Sequence, residues 1–233
     1  ANNQIRNVEV DGRYFDKKNE KKAARIEKRA EKKSSRLTKR ADRREARGKN
    51  VADLRSRATE LNQSSQDVKD MRNDDSTEYR YGSVNSKEAK SLGIVGPTTR
   101  DNGTNKKGDN VVSIFTDNNM GSKLHETRHG GQIARGELGS NYGVADEVSA
   151  YRAEYSWKGK LNFLDVNRTP TQAEILQSLQ SGSNPLKSTL TNINSITPAI
   201  INRMVDPGFQ YIYPPKDPST GALLIPLNVW NSN

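Results

Sequence analysis

The sequence predicts an α+β protein that is mainly helical, in which a long basic helix precedes a small mixed domain. Residues 16–47 contain neither Pro nor Gly and are rich in strong helix formers. Residues 110–116, NVVSIFT, are rich in β-branched and aromatic side chains and lie between turn-forming residues, which predicts a strand. Residues 122–135 and 144–156 follow this strand, and both have the pattern of a helix.

The composition restricts the classes of protein that the chain can belong to. Only 31% of the 233 residues are hydrophobic, so we expect one compact region and one extended, solvated region. The absence of cysteine excludes disulfides and thiolate metal sites. No apolar run approaches the roughly 18 residues of a membrane span, and the first residues lack the order of a signal peptide. An intracellular or particle-packaged protein is therefore expected.

The positive charge is concentrated in one segment. Residues 17–49 contain 16 Lys and Arg against 5 Asp and Glu, a net charge of +11, whereas the rest of the chain is close to neutral. The predicted helix in this segment ends at Gly48, and a more amphipathic helix follows from about Val51 to Met71. A thin stripe of apolar residues near heptad spacing, mostly Ala, can bury only a small area. Its members are Ala23, Ile26, Ala30, Leu37 and Ala41.

These patterns divide the chain into three parts. Residues 1–75 form a basic helical arm, residues 76–108 a polar linker, and residues 109–233 a compact domain with an irregular, Pro-rich C-terminal tail. Because the predicted strand and the helices after it all follow the linker, the arm and the body are expected to be separable. Truncation before about residue 76 should then leave a folded fragment.

Shorter elements are predicted within these parts. The linker contains one short helix at 87–92 and a loop at 97–110. Thr169-Pro170 opens a helix that ends near Gln180, since Pro is tolerated in a first helical turn. Thr197-Pro198 opens another helix, which ends near Asp206-Pro207.

Both histidines of the chain lie in one motif. His125, Glu126 and His129 form H-E-x-x-H within a predicted helix. Residues four positions apart share one face of a helix, so both imidazoles can reach the same metal ion. Glu126 lies next to that face, where it can hold a metal-activated water and accept its proton.

A third protein ligand has to be a carboxylate, because no other His or Cys exists. Glu147 lies on the next predicted helix, which can cross back beside the first. Asp146 and Glu137 are the competing candidates. Two His and one Glu leave a fourth position open for water, as catalytic zinc sites require.

Residues 125–157 resemble the gluzincin side of the zincin metallopeptidases, and more narrowly metallopeptidase domains of bacterial polymorphic toxins and phage genomes. Those domains pair an H-E-x-x-H-x-x-Q helix with a downstream D-E-x-x-A-Y helix. The matching residues are His125-Glu126, His129, Gln132, Asp146-Glu147 and Ala150-Tyr151. The resemblance implies a minimal zincin-like domain, built from a short sheet, the HExxH helix and the Glu-bearing helix. It also implies His125, His129 and Glu147 as zinc ligands and Glu126 as the general base.

The match departs from the better-studied gluzincins at two points. Those have Asp four residues after the ligand Glu, where this chain has Tyr151, and they supply a distant His to the oxyanion, which is missing here. Tyr151 or Arg152 can take that catalytic role, since a phenol or a guanidinium donates hydrogen bonds. The alternative for Tyr151 is a half-buried packing aromatic. Gly130-Gly131 is unusual inside a helix, and marks either a close backbone approach or a bend.

The resemblance implies a zinc-dependent endopeptidase that hydrolyses peptide bonds of a protein or peptide substrate with metal-activated water. The alternative is a structural or interaction component of a phage particle that retains a zincin fold. The expected location is the cytoplasm or a phage particle.

The basic arm suits binding to DNA, RNA or another anionic surface. No aromatic residue lies within residues 17–49, so the expected binding is non-specific and salt-sensitive. The alternative is a solvated single helix or a coiled-coil segment whose own i,i+4 ion pairs shield its charge. Residues 17–72 could also contact virion or other assembly proteins. The candidate nucleic-acid-binding residues are Lys28, Arg29, Lys32, Lys33, Arg36, Lys39, Arg40, Arg43 and Arg44.

Overall fold

Helices dominate the structure, a computed structural model that describes residues 15–138, 143–165 and 169–205. The helices are α1 (Lys17–Glu45), α2 (Ala52–Asn73), α3 (Lys87–Ser91), α4 (Met120–Ala134), α5 (Val144–Lys158), α6 (Gln172–Ser181) and α7 (Pro198–Ile201). The strands are β1 (Thr77–Ser83), β2 (Thr98–Thr104), β3 (Asn110–Thr116), β4 (Leu161–Asp165), β5 (Lys187–Leu190) and β6 (Met204–Val205). The predicted α+β, mainly helical class is confirmed. Within these residues, no helix is long and apolar enough to cross a membrane.

The first sheet is mixed, with the strand order β1–β3–β2. Strand β1 runs parallel to β3, and β2 runs antiparallel to it. The central strand β3 has the predicted bounds, and its residues from Val111 to Thr116 are all buried. Burial on both faces explains why this segment is an almost uninterrupted apolar run. A second, smaller sheet has the order β5–β4–β6.

The segment predicted as a polar linker, residues 76–108, contains both outer strands of the first sheet. The prediction of a loop at 97–110 is wrong, because β2 occupies much of that range. Strand β2 is polar and its side chains are half-buried or exposed, so its sequence has no apolar pattern that predicts a strand. It forms because its backbone hydrogen-bonds to β3, which the sequence of β2 alone does not reveal. The predicted short helix is confirmed as α3, which Ser86 caps.

Helices α1 and α2 form a hairpin that belongs to the main hydrophobic core. Every residue of the predicted Ala-rich stripe on α1 is buried. Leu61 and Met71 of α2 are fully buried in the same cluster as Ile114 of β3, Leu124 of α4 and Ala153 of α5. The predicted arm therefore shares one core with the metallopeptidase-like motif.

The first turns of α1 cover the outer edge of β1. The backbone N–H of Tyr81 donates to Asn19 Oδ1 at 3.0 Å, and Lys22 Nζ donates to the carbonyl oxygen of Tyr81. The ring of Phe15 stacks on the ring of Tyr81, with centroids 6.0 Å apart. An edge strand normally exposes its backbone donors and acceptors, and here α1 satisfies a pair of them.

Helices α2 and α4 approach each other closely at the paired glycines. A Cβ at Gly130 would lie 2.5 Å from Met71 Sδ, and one at Gly131 would lie 2.8 Å from the Cα of Asp67. The close backbone approach predicted as one of two explanations for these glycines is confirmed. Beside them, Asp67 is fully buried and accepts hydrogen bonds from Arg128 Nε at 2.6 Å and Arg135 Nη1 at 2.9 Å.

The C-terminal elements differ in their bounds from the prediction. The helix predicted to open at Thr169-Pro170 begins slightly later, as α6, because Thr171 and Glu174 form a capping box. The helix predicted from Thr197-Pro198 to about Asp206-Pro207 was too long, because α7 ends after one turn and the chain then pairs with β4 as β6. The predicted irregular Pro-rich tail lies outside the described residues.

We expect a fragment that begins at residue 76 to be unfolded, contrary to the expectation from sequence. Removing α1 and α2 would expose the fully buried side chains of Ile114 and Leu124 and would leave Arg128 without Asp67. Near-UV circular dichroism and thermal unfolding of the fragment test this. Adding a peptide of residues 15–75 should restore a cooperative transition. A cooperative transition of the fragment alone would show that the hairpin is dispensable.

Substituting Gly131 by Ala should lower the free energy of unfolding by about 1–3 kcal/mol, because the new methyl group would overlap the backbone of Asp67. The gain in helix propensity, about 1 kcal/mol, offsets only part of this cost. Gly96→Ala is the matched control, since a Cβ there meets nothing within 4 Å. Chemical denaturation of both variants measures the difference, and equal stabilities would show that α2 and α4 can move apart freely.

Candidate metal centre

Helix α4 places the three residues of the HExxH motif beside the core. It begins after Asn119, whose side chain accepts a hydrogen bond from the N–H of Gly121 at 2.9 Å. It packs between the first sheet and α5. His125 and His129 lie one turn apart and both are largely buried, with the His129 residue 5% exposed.

Helix α5 brings Glu147 to the two imidazoles. Nε2 of His125 lies 3.4 Å from Glu147 Oε2, and Nε2 of His129 lies 3.6 Å from Glu147 Oε1. The two Nε2 atoms are 3.3 Å apart. One ligand atom of each residue therefore points to a common centre, and this group can hold a metal ion.

Gln132 and Asp146 fix the orientation of His129. Gln132 Oε1 lies 2.9 Å from His129 Nδ1 and accepts its hydrogen, so that Nε2 carries the lone pair with which an imidazole binds a metal. The amide of Gln132 in turn donates to Asp146 Oδ1 at 3.4 Å, and Asp146 Oδ2 accepts the N–H of Gly143 at the start of α5. Such outer contacts hold metal-binding imidazoles in place.

His125 is held by different neighbours. Its Nδ1 is buried, forms no hydrogen bond with the described residues, and lies 3.7 Å from Glu154 Oε2. The ring of Tyr151 meets the His125 ring nearly at right angles, with centroids 4.6 Å apart. Glu147, Tyr151 and Glu154 occur at intervals of four and three residues along α5, so one face of this helix surrounds His125.

The carboxylates decide which imidazole keeps a proton before a metal binds. Burial opposes the charged form of His125, but the hydrogen bond to Glu147 and the charge of Glu126 outweigh it and raise the pKa of His125 to about 9. Burial and the positive charge of His125 lower the pKa of His129 to about 4. Burial would raise the pKa of Glu147, but the imidazoles hold it below its ordinary value. A cation that binds here therefore replaces a proton.

Glu126 borders a cleft on the side of the sheet where β2 lies. Thr99 Oγ1 of β2 donates to Glu126 Oε2 at 2.9 Å, which restricts the position of the carboxylate. The cleft has a volume of about 980 Å³. Its lining includes both histidines, Glu126, Glu147 and Tyr151, together with residues 92–101 and, from the C-terminal elements, Ile201 and Met204.

The competing candidates for ligand and oxyanion roles lie elsewhere. Asp146 caps α5 and binds Gln132, as described above. Glu137 is exposed and forms a two-point contact with Arg135. The guanidinium of Arg152 donates to the carbonyl oxygen of Ile196 at 3.3 Å, whereas Tyr151 lines the cleft.

Sequence reasoning missed two residues of this site. Thr99 lies in the segment predicted as a loop, and its contact with Glu126 depends on strand pairing that no local pattern shows. Glu154 was detectable, because it follows Glu147 by seven residues and so falls on the same face of α5.

Comparison of the chain with protein-family models, curated proteins and solved structures finds no match. Only the geometry of the site and the resemblance of its motif therefore bear on the function of the chain.

Replacing Gln132 by Leu should weaken binding of Zn²⁺ by about 10- to 100-fold, because His129 loses the partner that orients its ring. Competition with a chromophoric chelator measures the affinity. Gln66→Leu is the matched control, since Gln66 is exposed on α2 and its side chain donates a hydrogen bond to Asp70. Equal affinities for zinc in the two variants would show that Gln132 does not help to hold the ligand group in place.

Proposed function

We propose that the chain is a zinc-dependent endopeptidase with a minimal zincin-like domain. The spacing of the ligand atoms is the observation that carries this proposal. Atoms bound at 2.0–2.1 Å to a tetrahedral zinc ion are about 3.3–3.4 Å apart. The two Nε2 atoms are 3.3 Å apart, and the Glu147 carboxylate places Oε2 3.4 Å from His125 Nε2 and Oε1 3.6 Å from His129 Nε2. These separations are close to those of zinc ligands, which supports the assignment of the group to this ion.

The chemistry of the ligands also favours zinc. Two imidazoles and one carboxylate suit zinc, whereas calcium and magnesium require sites made of oxygen atoms. Three protein ligands leave one coordination position open, which distinguishes catalytic from structural zinc sites. When bound, zinc acidifies water at that position and polarises the carbonyl group of a substrate.

Glu126 is the proposed general base. Its carboxylate borders the cleft beside the ligand group, and the hydrogen bond from Thr99 restricts its motion. Glu126 takes a proton from the attacking water as the water oxygen bonds to the peptide carbon. It then delivers this proton to the leaving nitrogen when the carbon–nitrogen bond breaks. No other co-reactant is needed for this hydrolysis.

Tyr151 is the proposed donor to the oxyanion. It lines the cleft and its ring packs against His125, so Tyr151 belongs to the wall of the cleft beside the ligand group. A phenolic hydroxyl can donate to the negative oxygen that develops during attack. Arg152, the other candidate, is engaged with the backbone of Ile196.

The cleft suits an extended peptide. Strand β2 borders it and, among the described strands, pairs with β3 alone, so its other edge can accept a substrate as an added strand. Apolar side chains in its lining are those of Ile94, Val95, Pro97, Ile201 and Met204. We infer a preference for protein substrates that present apolar side chains near the cleaved bond.

The purified chain should contain one zinc ion. The Glu126→Gln variant should keep this ion, but its rate of peptide hydrolysis should fall at least about 100-fold, because Gln cannot accept the proton. The His129→Ala variant should lose both the zinc ion and the hydrolytic activity. Metal analysis by mass spectrometry and a proteome-derived peptide library provide the two measurements.

Three results would contradict the proposal. Stoichiometric zinc in the His129→Ala variant would show that the ion binds elsewhere. Wild-type protein that neither contains nor acquires zinc would favour the alternative function, a phage-particle component with a zincin-like fold. Equal hydrolysis by wild type and Glu126→Gln would remove Glu126 from the mechanism.

A further inference from the structure

The charged side chains of α1 are separated by sign around the helix. All five of its acidic residues face α2 and form ion pairs there. Arg72 of α2 binds Glu20 and Glu27 at 2.9 Å, Lys69 lies 3.5 Å from Glu31, and Arg55 binds Asp42 at 3.2 Å and also contacts Glu45. The acidic residues of α1 therefore neutralise cations of α2 and not those of α1 itself.

The basic residues of α1 occupy a different face. With about 100° between successive residues, the nine candidate residues from Lys28 to Arg44 fall within an arc of about 160° that contains none of the five acidic residues. Eight of the nine are exposed. The ninth, Lys33, is half-buried and lies over the ring of Trp157, 5.3 Å from its centroid. We call this arc the basic face.

Lys33 lies among other cations of this region. Burial lowers the pKa of Lys33, and the neighbouring guanidinium groups of Arg57, Arg36 and Arg40 lower it further. Lys22, nearer the start of α1, has a pKa lowered by burial and by Lys18. When an anion binds between cations that repel one another in this way, the repulsion is reduced and the cations are stabilised.

A cavity of about 330 Å³ extends the basic face toward α4. Lys22, Arg25 and Arg29 line it from α1, and Lys123 lines it from α4. Its one acidic lining residue, Asp117, accepts a hydrogen bond from the N–H of Asn119. Cations from two separate helices thus surround a space large enough for a phosphate group.

We propose that the basic face of α1 binds the phosphate backbone of double-stranded nucleic acid without sequence preference. A straight helix of 29 residues is about 43 Å long, so it offers cations along about one helical turn of a duplex. Residues 17–49 include no aromatic side chain on which unpaired bases could stack, which favours a duplex over a single strand. Acidic proteins offer a lower and less regular density of charge.

The nucleic acid anchors the protein and is not its substrate. Helix α1 covers the β1 edge of the first sheet, whereas β2, at the opposite edge, borders the cleft. A duplex on the basic face therefore leaves the cleft accessible, and binding of zinc should be unchanged in its presence.

The test compares two full-length variants that lose the same charge. In the first, Lys32, Arg36, Lys39 and Arg43, all exposed on the basic face, are replaced by Gln. In the control, four exposed lysines outside α1 are replaced by Gln: Lys87, Lys90, Lys106 and Lys107. Fluorescence anisotropy with a DNA duplex of about 24 base pairs, roughly twice the length of α1, gives the affinity as a function of salt.

The first variant should bind the duplex about 100-fold more weakly than the control at low salt. The slope of its log affinity against log salt concentration should be smaller in magnitude by about 3–4. Its zinc content and thermal unfolding should match those of the control, which separates this result from any failure of the metal site. Equal losses in the two variants would overturn the proposal, since net charge alone would then explain binding. Equal affinity of the wild type for polyglutamate would overturn it in favour of an acidic protein partner.

Discussion

The close contact between α2 and α4 determines where the other parts of the molecule lie. Gly130 and Gly131 allow the two helices to approach, and the buried carboxylate of Asp67 binds Arg128 and Arg135 across the contact. Removing one partner of a buried ion pair costs about 3–5 kcal/mol, a large part of the roughly 5–15 kcal/mol that stabilises a domain. Because α4 also carries the HExxH motif, the position of the proposed metal ligands depends on the N-terminal hairpin.

The candidate site was largely predictable because its information is local. Helical spacing alone places His125 and His129 on one face of α4, and the choice of Glu147 agrees with the geometry since a single turn of α5 presents it. The resemblance also drew attention to Gln132 and Asp146, although only the structure shows that they form a chain of contacts to His129. A sequence pattern fixes which residues share a face, but it does not fix which atoms meet.

The parts that could not be predicted depend on contacts between distant segments. Strand β2 is polar, and it is a strand because β3 offers it a partner. The stripe on α1 was expected to bury little because it is mostly Ala. All five residues of the stripe are nevertheless buried in the main cluster, so α1 is part of the core. Similarly, the acidic residues of α1 look like local partners for its own basic residues until α2 is placed beside them.

The separation of charges on α1 links the fold to both proposed activities. If the five acidic residues neutralised the basic face, the hairpin would lose its ion pairs with α2 and the face would lose its excess charge. Their pairing with Arg72, Lys69 and Arg55 stabilises the hairpin and leaves the opposite side positive. The same hairpin then supports α4 through Asp67. A duplex bound to the basic face would thus be connected to the cleft through a continuous core and not through a flexible linker. The proposed peptidase would consequently face substrates in a fixed orientation relative to the nucleic acid that anchors it.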